Sequence, residues 1–140
     1  MADDDDPPEE SRAIAALVGT VLGERYALER VLGTGGMGAV FEGKDRRLGR
    51  PVAVKVMQPG YARDAEYTKR FLREAQTCSM IRHRNVVVIL DYGKTDEGLV
   101  YSVMEYLVGQ DLEALLRGQP GQRLPWARAC GLLVQIASGL

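Results

Sequence analysis

Four glycines fall within the six residues Gly33, Thr34, Gly35, Gly36, Met37 and Gly38, spaced as G-x-G-x-x-G, and this cluster constrains the fold more than any other feature. No helix or strand interior tolerates so many residues without side chains, because each loses the most backbone freedom on folding. The cluster is therefore a turn. Residues 26–32 (YALERVL) before it and 39–44 (AVFEGK) after it alternate in strand fashion. The pattern predicts a hairpin with a glycine-rich tip. A dinucleotide-binding unit shares the spacing but needs a helix after the glycines, and a Walker A loop needs a Gly-Lys-Ser/Thr that is missing here. A backbone without side chains can fold down over a polyphosphate and turn its N–H groups toward anionic oxygens.

A third strand is expected over 51–57 (PVAVKVM), where Lys55 interrupts an apolar run. An unpaired ammonium is costly to bury, so Lys55 either faces the surface or has an anionic partner. Residues 64–80 contain no Gly or Pro and place Tyr67, Phe71, Ala75 and Cys78 three and four apart, which predicts an amphipathic helix. Glu74 lies one turn from Phe71 and Cys78, near that apolar face, where it could hold Lys55. Strands over 86–92 and 99–104 are joined by the turn-rich GKTDEG. Helices are expected over 111–117 and 125–140, the latter with a broad apolar stripe that includes Trp126, Cys130, Leu133, Val134 and Ala137 and needs a cover.

The order G-x-G-x-x-G-x-V (Gly33 to Val40), V-A-V-K (Val52 to Lys55), then a helix with Glu74 resembles the N-terminal lobe of protein kinases, and G-T-G-G-M-G-A-V is similar to the serine/threonine kinases of bacteria. The resemblance runs from Tyr26 to Leu140. It implies an α+β fold: a five-stranded antiparallel sheet with one helix over 26–104, a hinge at 105–110, and the start of an incomplete helical lobe at 111–140. It also implies ATP with Mg2+ as cofactors and a protein Ser/Thr hydroxyl as acceptor. By the same resemblance Gly33, Thr34, Gly35, Gly36, Met37 and Gly38 cover the phosphates, and Lys55 contacts them while paired with Glu74. Val40 and Ala53 lie over the adenine, Met104 is the gatekeeper, and the backbones of Glu105 and Leu107 bind the adenine edge. Asp111 falls where relatives contact the ribose, and it is equally a good helix N-cap. His83, in H-R-N-V where the family has H-P-N-I, is structural.

The chain has 140 residues, 46% of them hydrophobic and 26% charged, which suffices for a core. A net charge of -1 offers no basic field, so no nucleic-acid partner is indicated. Residues 1–25 form an acidic leader and lead-in, of which 1–12 (MADDDDPPEESR) have the composition of a disordered segment. The apolar stretch over 13–23 is about half the length that crosses a bilayer, and no membrane partner is indicated within the chain. With no export signal, a cytoplasmic location follows. Cys78 and Cys130 stand in no metal-like spacing and are expected to be buried thiols.

The 140 residues contain no H-R-D loop and no D-F-G. The resemblance places these after Leu140, together with the metal ligands, so the chain alone is expected to be inactive. Two readings remain: part of a serine/threonine kinase, completed by the rest of its helical lobe or another covering partner, or a non-catalytic nucleotide-binding or interaction module.

Overall fold

The glycine cluster does turn a hairpin. In a computed structural model that describes residues 9–140, β2 (Tyr26–Gly35) pairs antiparallel with β3 (Gly38–Asp45), and the ladder runs out to Gly35 opposite Gly38. Gly38 has to be glycine, because a Cβ there would collide with the carbonyl oxygen of Val56 on the next strand. That strand, β4 (Arg50–Met57), pairs with β3 on one side and with β6 (Val100–Glu105) on the other, and β5 (Ile89–Lys94) follows β6 at the edge. Five antiparallel strands were expected, and a sixth joins them. The two-residue strand β1 (Val21–Leu22) pairs with the start of β2, giving the order β1-β2-β3-β4-β6-β5. Two residues are too few to carry an alternation, so β1 left no pattern to read.

The sheet buries one face. Phe41, Val54 and Val103 stand side by side across β3, β4 and β6, all fully buried, and Leu28, Val52, Val56, Tyr26 and Tyr101 extend the layer. Onto it folds α1 (Glu9–Ala15), which brings Ile14 to 6% exposure with Leu17 packed alongside. The disorder expected over 1–12 therefore gives way to helix from Glu9 onward, because Ile14 and Leu17, three apart, find an apolar layer to cover. Residues 1–8 lie outside the described residues.

β5 begins at Ile89 rather than near residue 86. The three valines before it are drawn elsewhere: the Val86 N–H donates to the His83 carbonyl, and the Val88 N–H donates to Glu105 Oε1 at 2.8 Å. The short α2 (Pro59–Ala62) leads into α3 (Ala65–Ser79), whose first turn is capped by Asp64, with Oδ1 accepting from the Glu66 N–H at 2.8 Å. The buried stripe of α3 keeps the expected Phe71 and Ala75 and departs from expectation at its two ends. Thr68 and Ala75 are buried, while Tyr67 and Cys78 are exposed. Thr68 goes inward because its hydroxyl donates to the Ala62 carbonyl, and Tyr67 instead meets the Tyr61 ring edge to face at 5.3 Å. After β6 come α4 (Leu112–Arg117), one 3-10 turn (Pro120–Gln122) and α5 (Trp126–Gly139).

One buried charge ties the lead-in to the sheet. Asp45 is 1% exposed and accepts from Arg25 Nε at 3.1 Å and Nη2 at 2.7 Å, and from the N–H groups of Arg47 and Leu48. The Arg25 guanidinium, helped by those two amides, holds the Asp45 carboxyl at about 2, below its ordinary value. Arg25 also lies over the Tyr26 ring, whose hydroxyl donates to Asp91 at 2.6 Å. A carboxyl depressed in the folded state stabilises above its unfolded pKa and loses that contribution as pH falls through its folded one. Asp45→Asn is therefore expected to cost about 2 kcal/mol at pH 7. In urea unfolding the gap between variant and parent should narrow steadily between pH 4 and pH 2; a gap independent of pH would contradict the assignment.

Candidate functional site

The face of the sheet opposite the core carries the expected site residues in two adjacent rungs. Directly paired residues on neighbouring antiparallel strands point the same way. One rung reads Arg30, Glu42, Ala53, Met104 across β2, β3, β4 and β6, and the next reads Gly33, Val40, Lys55, Ser102. Between them on the other face lies the core rung Val31, Phe41, Val54, Val103. Val40, Ala53, Lys55 and Met104 are thus brought together, with Val40, Lys55 and Met104 half-buried and Ala53 at 8% exposure.

The glycine hairpin ends these strands, with Gly38 paired to Met57 at the end of β4. Its tip residue Met37 is half exposed, and its carbonyl accepts from the Gln58 N–H at 3.1 Å, which ties the tip to the end of β4. Unlike Gly38, the glycines at 33 and 36 have open space where a side chain would stand, at Gly35 the nearest atom is 4.0 Å away, and none of these three has a positive φ. Packing within the described residues does not require them to be glycine. Thr34 is exposed beside them.

Lys55 and Glu74 line one cavity of about 90 Å³ with Met37, Met57, Tyr61, Tyr67, Arg70 and Phe71, yet they form no ion pair with each other. The expected pairing is not present. Arg70, one turn earlier on α3, takes the Glu74 carboxylate at 3.1 Å, with both side chains well exposed, and the Lys55 ammonium sits 5.7 Å from the centre of the Phe71 ring.

At the end of β6 the Glu105 N–H donates to the Val88 carbonyl while its side chain accepts from the Val88 N–H, so this residue is clamped to the segment before β5. Leu107 beyond it is 61% exposed, and its N–H donates to none of the described residues. Tyr106 between them reaches back to Glu42 and Arg30, a contact that reading the sequence missed. Asp111 caps α4, its Oδ1 accepting from the Ala114 N–H at 2.7 Å.

His83 works structurally. Its Nδ1 accepts from the Asn85 N–H, Nε2 lies 3.4 Å from the Ser138 hydroxyl, and Asn85 Nδ2 donates to the Gln135 carbonyl at 2.9 Å, fastening α5 to this loop. The rest of α5 is open: Trp126 is 82% exposed, Val134 68% and Leu133 61%. Neither cysteine is the buried thiol expected, Cys78 being exposed and Cys130 half-buried, because nothing among the described residues covers those faces. Among the described residues no helix is long and apolar enough to cross a membrane, and no group of three or more His, Cys, Asp or Glu could hold a metal ion.

The protein kinase domain family matches residues 26–140. This chain belongs to that family. The kinase chain is 39% identical over 134 residues to the serine/threonine-protein kinase PknA of Mycobacterium tuberculosis, covering 83% of this chain and 31% of PknA. It is also 39% identical over 124 residues to the serine/threonine-protein kinase PrkC of Bacillus subtilis, covering 89% and 19%. The solved PknI kinase domain of Mycobacterium tuberculosis is similar in fold, with a TM-score of 0.73 at 25% identity over 87% of this chain and 48% of that one. The kinase chain therefore spans less than half of each relative. Its α+β fold is that of the kinase N-terminal lobe.

The two kinds of glycine should separate by stability. Gly38→Ala is expected to cost about 2 kcal/mol or more, since backbone must shift, and Gly36→Ala less than about 0.5 kcal/mol. Urea unfolding of both variants checks this, and equal losses would contradict it.

Proposed function

We propose that this chain forms the ATP-binding portion of a serine/threonine protein kinase that transfers the γ-phosphate to protein Ser and Thr hydroxyls. The observation that carries the reading is one sheet face with Val40, Ala53 and Met104 beside Lys55, beneath a hairpin whose outer glycines satisfy no packing need of their own. Apolar side chains at Val40 and Ala53 suit a flat base, and Met104 closes its inner end. The Glu105 carbonyl and the unused Leu107 N–H offer an acceptor and a donor to the adenine edge. Amides of Gly33 to Gly38 and the Lys55 ammonium then meet the phosphates.

In this reading Glu74 exchanges Arg70 for Lys55 when nucleotide binds. The pair it leaves is an exposed i,i+4 contact worth only about 0.3–0.5 kcal/mol, so the exchange costs little. Asp111 serves as helix cap, and any ribose contact is a second use of the same carboxylate. The described residues offer Mg2+ no cluster of three His, Cys, Asp or Glu ligands. Nothing in the 140 residues supplies the H-R-D aspartate that would accept the hydroxyl proton, so the chain alone binds without transferring. The open face of α5 calls for the remainder of a helical lobe or another partner to cover it; each large apolar side chain left in water forgoes about 1.5–3 kcal/mol. A cytoplasmic site, where ATP is available, fits this use.

The second reading, a non-catalytic binding module, draws support from Glu74 pairing with Arg70 and not with Lys55. Titration of Mg-ATP into the parent and Lys55→Ala tests the site. A phosphate contact from an ammonium predicts a loss of about tenfold or more in affinity. Equal affinities would remove Lys55 from the site, and Lys55-dependent labelling of a basic protein acceptor by the chain alone would refute its inactivity.

A further inference from the structure

β2 does not keep strict alternation, and the interruption puts a charge where it would not otherwise be. Leu28 faces the core opposite Gly43, and two residues later Arg30 should face the core too. The register instead slips between them: Leu28 pairs with Gly43 and Arg30 with Glu42, so two steps on β2 answer one on β3. The extra residue, Glu29, is a bulge, and beyond it the phase is inverted, which turns Arg30 to the site face and Val31 to the core opposite Phe41. A second slip between Val31 and Gly33 restores the glycine hairpin to the site face.

On that face Arg30 Nη2 meets Glu42 Oε2 at 2.5 Å, with the Glu42 side chain only 21% exposed. The Tyr106 hydroxyl completes the cluster, donating to Glu42 Oε2 at 3.3 Å and accepting from Arg30 Nη2 at 3.3 Å. Tyr106 lies 64 residues from Glu42 and 76 from Arg30, so the cluster joins the roof hairpin to the segment after β6. Its two neighbours, Glu105 and Leu107, are the residues assigned above to the adenine edge. The ladder joins the same elements only through β4, with Glu42 opposite Ala53 and Ala53 opposite Met104.

We propose that Arg30, Glu42 and Tyr106 form a latch that holds the segment after β6 against the glycine-rich roof and presets the width of the adenine slot, which makes Tyr106 a positioning residue. The proposal rests on the reading of Glu105 and Leu107 as adenine contacts. An ion pair this exposed on its Arg side adds little stability, and its use is geometric: it fixes two loose margins before the ligand arrives, so that binding need not order them. The hydroxyl is the part that makes the bridge, because Arg30 and Glu42 already pair within the hairpin.

Two measurements on the full chain separate the latch from the nucleotide reading. Amide hydrogen exchange without ligand is expected to rise about fivefold at Glu105, whose N–H donates to the Val88 carbonyl, in Tyr106→Phe and in Glu42→Ala, as the contacts through the tyrosine hydroxyl are lost, and to stay near parent values in Arg30→Lys. Unchanged exchange in the first two variants would overturn the latch whether or not ATP binds. Binding of ATP is expected to weaken about fivefold in Tyr106→Phe while binding of inorganic tripolyphosphate, which has no adenine, is unaffected. Equal weakening of both would overturn the positioning role, and loss of Lys55-dependent ATP binding in the parent would sink the nucleotide reading while leaving exchange to decide the latch.

Discussion

Strand β4 is paired on both sides, so its side chains have only two directions to take, and each residue's direction is settled by its neighbour's. Val52, Val54 and Val56 go into the core, and Ala53, Lys55 and Met57 therefore go to the other face. A slip of one residue would bury Lys55 in the Phe41 layer without a partner, at a cost no domain of this size could absorb. The valines that build the core are thus what aim the lysine. Val40 and Met104 inherit their direction from the same register, since they oppose Lys55 and Ala53 on the flanking strands.

Around that rigid centre the parts that would handle a ligand are held by weaker contacts. The hairpin tip is fixed by one amide from Gln58, and Glu74 by an exposed arginine on its own helix. The segment after β6 is fixed by Glu105 to Val88 and by the tyrosine contact to the roof. Contacts of this size can be exchanged at the expense of a fraction of a kcal/mol to about one, while the core rungs cannot. The buried Asp45 with Arg25 belongs to the rigid group, because it anchors the lead-in behind the sheet and away from the site.

Much of this was legible because it is local. The glycine tip, the strand over 51–57, the helix over 64–80 and the start of the helix after its cap Asp111 all follow from residues within a few positions of one another. What escaped depends on distant partners. The helix from Glu9 exists because Ile14 meets a layer built by strands that come later, and the valines at 86–88 leave the sheet because Glu105 and the His83 loop claim their amides. The bulge at Glu29 left no turn residue to announce it, and with it went any sign that Arg30 would face Tyr106. The exposed cysteines show the converse error: a burial habit assumes a covering surface, and on these faces the described residues provide none.

The central claim is that nucleotide lies against the β4 face that carries Lys55, and methyl-resolved NMR of the labelled chain with Mg-ATP tests it most directly. The methyls of Val40, Ala53 and Met104 are expected to shift on titration, while those of Val52, Val54, Val56 and Val103, on the opposite face of the same strands, hold still. Shifts confined to the core-face valines or to the open face of α5, with Val40 and Ala53 unmoved, would contradict it.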